Sequence, residues 1–312
     1  MESRMLNRVT FQLEPIPPFR LDLTAWALRR QPTNAIDRFD GAYQRILIVR
    51  RRPVKVDVVQ EGPIDEPRIR VEARGSQLTG ADVSLIKLTL HKMLGLRTDL
   101  SAFYEKGKDD PAFDELIERF RGVKPPRFPT VFEAIANAIA CQQLSLSAGI
   151  AILNRLTENF GAEFDSQDAM SFAFPTPTDL AHRHARSLRK LGFSVRKSLT
   201  LIRIASDAAK RRIDLEATED MTDVRALEYL DKIPGIGRWS SEYILLRGLG
   251  RLHIFPGDDV GARNGLKRLL NLGNDLDYDG VKQALAEWKD YGGMLYFHLR
   301  LNQLEKSGYV HP

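Results

Sequence analysis

Cysteine is almost missing from this chain. Cys141 is the single one among 312 residues, which excludes an internal disulfide, a thiolate zinc site and a cysteine-held iron–sulfur cluster. No apolar run approaches the ~20 residues a membrane helix needs. The first twenty residues mix Glu2, Arg4, Arg8 and Glu14 with prolines, so no signal peptide is expected. His91, His182, His184, His253, His298 and His311 show no metal-ligand spacing, and surface or packing roles are expected for them. These absences favour a reducing, intracellular setting and argue against a membrane partner.

What is present describes a protein that can bury sizeable cores, with 43% hydrophobic and 28% charged residues. The net charge of +5 mildly favours a polyanionic partner. Between Arg183 and Arg212 ten Lys or Arg face one acid, Asp207. Alone, such a run reads as a solvated helical face; beside a phosphate-binding element it reads as a surface that tracks a backbone.

The first third reads as mixed α and β. Residues 43–49 are apolar and β-branched, 54–58 and 69–73 alternate, and turns separate them, which predicts an antiparallel sheet with one wet face. Helices are expected at 81–94 and 113–120, then a stiff proline connector at 124–129. From Thr130 onward the pattern is helical throughout, opening with a Thr130/Glu133 capping box. Further helices are expected at 147–160, 178–190, 194–213, 223–232, 238–249, 260–271 and 280–304. The organisation is therefore α+β, a small N-terminal domain at 1–110 and a larger all-α domain at 111–312.

The most informative stretch is Ile233-Pro234-Gly235-Ile236-Gly237-Arg238, a turn between two apolar helical patterns. Its glycines give backbone freedom where a side chain would block a partner. The free amides of the following helix make an anion site, and Arg238 adds charge to it. A nucleotide-cofactor reading is poorer, because no third glycine follows and a helix precedes the turn. Trp239 and Tyr243 lie one turn apart on that helix, either as core or as an aromatic wall for a flat, cationic ligand.

About twenty residues on, Phe255-Pro256-Gly257-Asp258-Asp259 opens another helix. One acid is expected to cap that helix, leaving the other to point elsewhere. A carboxylate facing a deoxyribose would stabilise an oxocarbenium-like transition state and orient water. Cys141 sits on an apolar helix and reads as a core filler, and core burial is also expected for Trp26 and Phe19.

These residues resemble the helix-hairpin-helix/Gly-Pro-Asp DNA glycosylase superfamily, in particular its DNA-3-methyladenine glycosylase II (AlkA-type) branch. Matches at Ile139-Ala140-Cys141-Gln142-Gln143-Leu144-Ser145 and Phe174-Pro175-Thr176-Pro177 add to it. The resemblance implies a TATA-binding-protein-like N-terminal sheet and an all-α glycosylase domain. It implies Asp259 as the catalytic aspartate, with Trp239 and Tyr243 as walls of the base pocket. Trp239 falls where lyase members carry a nucleophilic lysine, which implies a monofunctional, hydrolytic enzyme. Gly235, Gly237, Arg238 and Ser240 fall on the DNA-binding hairpin, and Gln143 and Leu144 where the family wedges the duplex open. Backbone carbonyls of Asp231, Ile233 and Ile236 match positions that hold a monovalent cation, Na+ or K+. No cofactor is otherwise required.

The chain departs from some members in carrying Val260 after the acid pair, and which side chain of Tyr296-Phe297-His298-Leu299-Arg300 faces the pocket is left open. The expected activity is release of 3-methyladenine-type bases from damaged double-stranded DNA by a cytoplasmic monomer, nucleoid-associated if prokaryotic. An 8-oxoguanine-type glycosylase/lyase and a non-catalytic DNA-binding module are the alternatives.

Overall fold

A computed structural model of the chain describes residues 6–164 and 172–311. Five strands, β1 (Leu6–Leu13), β2 (Arg38–Asp40), β3 (Ala42–Val49), β4 (Arg52–Glu61) and β5 (Arg68–Ser76), form one antiparallel sheet in the order β1-β5-β4-β3-β2. The alternation read in the sequence is the burial pattern. Val54, Val56 and Val58 are buried on one face, and the register Val56↔Ala73 and Val58↔Val71 sets them beside the buried residues of β5. The other face carries Asp57, Glu72 and Arg74, with Arg74 paired to Asp57 at 3.4 Å. Strands β1 and β2 were not anticipated. β1 is an edge strand with most positions exposed, and β2 has three residues, too few to leave a period.

The helices are α1 (Leu21–Arg29), between β1 and β2, then α2 (Gly80–Met93), α3 (Ser101–Lys108) and α4 (Pro111–Arg119). After the proline connector come α5 (Val131–Cys141), α6 (Leu146–Phe160), α7 (Pro177–Leu180), α8 (Ala185–Lys190) and α9 (Val195–Ala209). The chain continues through α10 (Asp223–Asp231), α11 (Arg238–Arg247), α12 (Val260–Leu269), α13 (Tyr278–Ala284) and α14 (Gly292–Lys306).

Two expected helices are broken. The 178–190 pattern splits into α7 and α8. The 280–304 pattern splits at 285–291, because Gly292 and Gly293 start α14 afresh against the segment before Phe255. A Cβ at Gly293 would lie 2.5 Å from Leu246 and 2.7 Å from the Leu252 carbonyl, so only glycine permits that approach. The Thr130/Glu133 capping box forms by half. Thr130 caps the Glu133 amide, but the Glu133 carboxylate is taken by Arg45 at 2.6 Å.

Burial gathers into two large apolar clusters that meet along α1, with a small third one around Ile46 and Ala173. Leu21, Ala25 and Leu28 join the sheet, α5, α6 and α9; Leu23 and Ala27 join α3, α4, α12 and α14. The C-terminal end of α1 is thereby placed at the seam, where a cleft opens.

Candidate active site

That cleft encloses about 1230 Å³, and α5, α9, α11, α12 and α14 all contribute to its walls. On its rim lies the hairpin between α10 and α11. Gly235 has φ +94°, and a Cβ there would sit 2.8 Å from the Thr200 hydroxyl of α9, so conformation and packing both require glycine. Gly237 differs: its φ of −120° suits any residue, and a Cβ would meet nothing within 4 Å. No side chain caps the α11 N-terminus it begins, so the first-turn amides remain open donors. The hairpin is braced from within by Ser241, whose hydroxyl donates to Asp231 at 3.0 Å. Ser240 is buried, and its hydroxyl accepts from Gln142 at 2.9 Å rather than facing outward; only its amide is left for the rim.

The Ile233 carbonyl accepts the Ile236 amide at 3.0 Å. The carbonyls of Asp231 and Ile236 accept no backbone hydrogen bond outside the helices among the described residues. Three oxygens with spare lone pairs on one tight turn suit a hard monovalent cation.

Behind the rim, Trp239 and Tyr243 stack, with ring centroids 5.3 Å apart and planes at 26°. Trp239 is half-buried, Tyr243 buried, and both line the cleft. Burial pushes the Tyr243 phenol up from its usual pKa against the pull of neighbouring Arg30, whose Nη1 donates to the phenol oxygen at 2.7 Å.

The acid pair is divided in roles. Asp258 takes a bidentate bond from Arg238, at 2.7 and 3.0 Å. Arg238 also lies over the Tyr278 ring at 3.8 Å, so its charge is partly spent inside the protein. Asp259 is the cap of α12, its Oδ1 accepting the Ala262 amide at 2.9 Å. Its Oδ2 accepts from the Tyr296 hydroxyl at 3.2 Å, and the carboxylate lines the cleft. Asp259 therefore both caps the helix and faces the cleft, because a carboxylate has two oxygens and the cap needs one; Asp258 also lines the cleft, but is engaged by Arg238. Burial, then the Asp259 charge, hold the Tyr296 phenol far above its usual pKa, so it stays a neutral donor.

The loop that carries the pair is tied to α11. Glu242 accepts the Gly257 amide at 3.1 Å and the Tyr278 hydroxyl, and burial raises its pKa. A Cβ at Gly257 would come within 2.7 Å of the Tyr278 ring. On the facing wall, Gln143 adopts φ +53° in the turn between α5 and α6, and Leu144 beside it is 45% exposed. The half-buried Lys197 Nζ donates to the Gln142 carbonyl at 2.6 Å and braces that turn, and Arg196 lines the cleft beside it. All the basic residues of the 183–212 run except Lys197 are exposed.

Sequence reasoning did not find Arg30, Glu242 or Tyr278, and left Tyr296 undecided. Tyr296 and Arg300 line the cleft, whereas Phe297 and His298 face the core. Cys141 lies half-buried on the cleft wall rather than inside the core. Trp26 stacks on Tyr309, at 5.9 Å, and Phe19 is fully buried.

Residues 136–290 match the family described as HhH-GPD superfamily base excision DNA repair protein. The chain is 29% identical over 210 residues to a Bacillus subtilis protein named DNA-3-methyladenine glycosylase, covering 67% of this chain and 69% of that one. Among solved structures it is similar to a 3-methyladenine DNA glycosylase from Archaeoglobus fulgidus, with TM-score 0.82, 26% identity, and 96% and 100% of the two chains covered. It is also similar to a Schizosaccharomyces pombe 3-methyladenine DNA glycosylase in complex with abasic DNA, with TM-score 0.54, 26% identity, and 64% and 94% covered. With the hairpin, the stacked aromatic wall and the capping aspartate in one cleft, the chain belongs to the HhH-GPD superfamily of base excision DNA repair proteins.

Proposed function

We propose that this protein binds duplex DNA, everts a damaged nucleotide into the cleft and hydrolyses the N-glycosidic bond of alkylated bases of the 3-methyladenine type. The observation that carries this reading is the position of Asp259, on the same cleft as the Trp239–Tyr243 stack and beside an uncapped helix start. The names borne by its relatives favour it over the oxidised-purine and non-catalytic readings.

Phosphate oxygens would be held by the open amides at Gly237 to Ser240, and the basic face of α8 and α9 would extend that grip. Leu144 and Gln143 would fill the gap left by the everted nucleotide. Nothing in the chain's packing demands the bare backbone at Gly237, but a phosphate approaching within hydrogen-bond distance does. The carbonyls of Asp231, Ile233 and Ile236 would hold a sodium or potassium ion, which would add positive charge to the hairpin.

A purine alkylated on a ring nitrogen is positively charged while bonded to the sugar, so the C1′–N bond breaks with its electron pair returning to a neutral base. The stacked rings bind the cationic base by cation–π attraction, about 0.5–2 kcal/mol per good contact. The Asp259 carboxylate, through the lone pairs its two hydrogen bonds leave over, stabilises the developing positive charge at C1′. It also orients the water that adds there, the water's proton passing to the carboxylate or to solvent. Tyr296 fixes the rotamer of that carboxylate. Trp239 offers no amine, and the Lys197 ammonium is held by backbone carbonyls, so no Schiff base is expected.

Asp259→Asn tests the reading, since asparagine caps a helix as well as aspartate does. Release of 3-methyladenine from methylated duplex is expected to fall by roughly 10³-fold or more while binding to the damaged duplex persists. Undiminished release would remove Asp259 from the chemistry, and an adduct trapped by borohydride would replace hydrolysis with lyase chemistry.

A further inference from the structure

We propose that Arg30 is a specificity-determining residue of the base pocket, donating to a carbonyl oxygen on the everted base and opposing bases that carry positive charge. The inference rests on the glycosylase reading and names a division within its substrates.

Arg30 comes from the N-terminal part of the chain, 107 residues before its partner Asn137, and reaches the cleft from the end of α1. It occupies the left-handed cap of that helix, φ 66°, with its amide bonded to the Trp26 carbonyl at 2.8 Å. Arg247 of α11 fixes this end by donating to the Ala27 carbonyl at 2.8 Å and the Leu28 carbonyl at 3.4 Å. The guanidinium is therefore held in place before any ligand arrives.

Its side chain is about nine-tenths buried, with 9% of the residue exposed. Nη1 donates to the Tyr243 hydroxyl at 2.7 Å and Nη2 to the Asn137 side-chain oxygen at 2.5 Å. Both are neutral acceptors. Nε is buried without a partner, the guanidinium lies over the Phe128 ring at 5.3 Å, and no carboxylate pairs with Arg30 among the described residues, so the donors left for a ligand are the second N–H groups of Nη1 and Nη2. The nearby acids Asp37 and Glu133 are each taken by Arg45 at 2.6 Å. A buried guanidinium held by neutral partners alone keeps its charge unpaired, and an acceptor on the cleft side would complete it.

Guanidinium can donate but never accept. The group that completes it on the cleft wall is an acceptor, and on a nucleobase the strong exposed acceptor is a carbonyl oxygen. A neutral base such as hypoxanthine would gain a charge-assisted bond there, whereas 3-methyladenine, cationic while bonded to the sugar, would meet repulsion.

The test compares release of hypoxanthine and of 3-methyladenine from duplex DNA by the full chain and its Arg30→Gln and Arg30→Lys variants. Arg30→Gln is expected to lower the hypoxanthine-to-3-methyladenine ratio of kcat/KM by about tenfold or more, and Arg30→Lys to hold it within about threefold. Equal loss on both bases in Arg30→Gln would show a purely structural residue and overturn the proposal. If Arg30→Gln does not fold, product inhibition of the unmodified protein decides. Free hypoxanthine is then expected to inhibit about tenfold more tightly than unsubstituted purine, and equal inhibition overturns the assignment. Failure of the unmodified protein to release any base would sink the glycosylase reading itself. An unmoved ratio with 3-methyladenine still released would sink Arg30 alone.

Discussion

The two ends of helix α11 follow opposite rules. At its start Gly237 is exposed, no side chain caps the turn, and the amides are left open. From Ser240 to Arg247 every residue is buried. Its last residue closes the carbonyl end of another helix while its guanidinium lies over Phe128 and Phe297, at 5.0 and 5.2 Å. Open backbone donors are thus left at the exposed end, while the buried end is used to fix the geometry of the wall. Helix ends must satisfy their orphan groups somewhere, so the open end is the informative one.

The largest effect expected from this contrast is a pH dependence on the dry side. His298 follows Phe297 on α14 and lies fully buried between Phe103 and Phe120. Burial depresses its pKa to about 4; Nδ1 donates to the Met294 carbonyl, and Nε2 has no partner among the described residues. The unfolded chain takes up this proton near pH 6.5 and the folded chain only near 4. Stability is therefore expected to fall as pH drops through that window, by roughly 3 kcal/mol, and this share to level off below it. Urea midpoints measured from pH 7 to 4 should fall less steeply in His298→Leu; identical slopes would mean that side is wet.

Next in size is Gly235→Ala. The left-handed backbone and the overlap with Thr200 predict a loss of about 2 kcal/mol of stability, read as a lowered melting temperature. A melting temperature unchanged from the parent would show that the hairpin is not pinned against α9.

The smallest stability effect belongs to Gly237→Ala, expected to stay within about 0.5 kcal/mol because a methyl group there meets nothing. Its duplex affinity should nonetheless drop several-fold, as the methyl occupies the path of a phosphate. Full affinity in Gly237→Ala would break the contrast, making the open end a surface turn.

Legibility in the sequence followed the range of the interaction. The antiparallel sheet showed through the alternation at 54–58 and 69–73, since period-two burial is local. The hairpin showed through Pro234, Gly235 and Gly237, since turn chemistry spans a few residues. The helix predicted over 280–304 failed at Gly292 and Gly293, whose reason is the distant backbone of Leu252 and Ile254. Glu242 reads as one more polar residue on a helix; its part in holding the loop before Asp259 depends on Gly257 and Tyr278.

By itself the sequence determined which local elements exist and where an anion-binding turn, a pair of rings and a helix-capping acid would lie along the chain. Only the tertiary structure decided that Asp259 both caps and faces the cleft, that Tyr296 rather than Phe297 meets it, and that Arg30 arrives from the far end of the chain. The physical reason is that caps, turns and periods are set by neighbours in sequence. The surroundings of a buried charge are set by neighbours in space, and those exist only once α1 has been packed into the seam between the two apolar clusters.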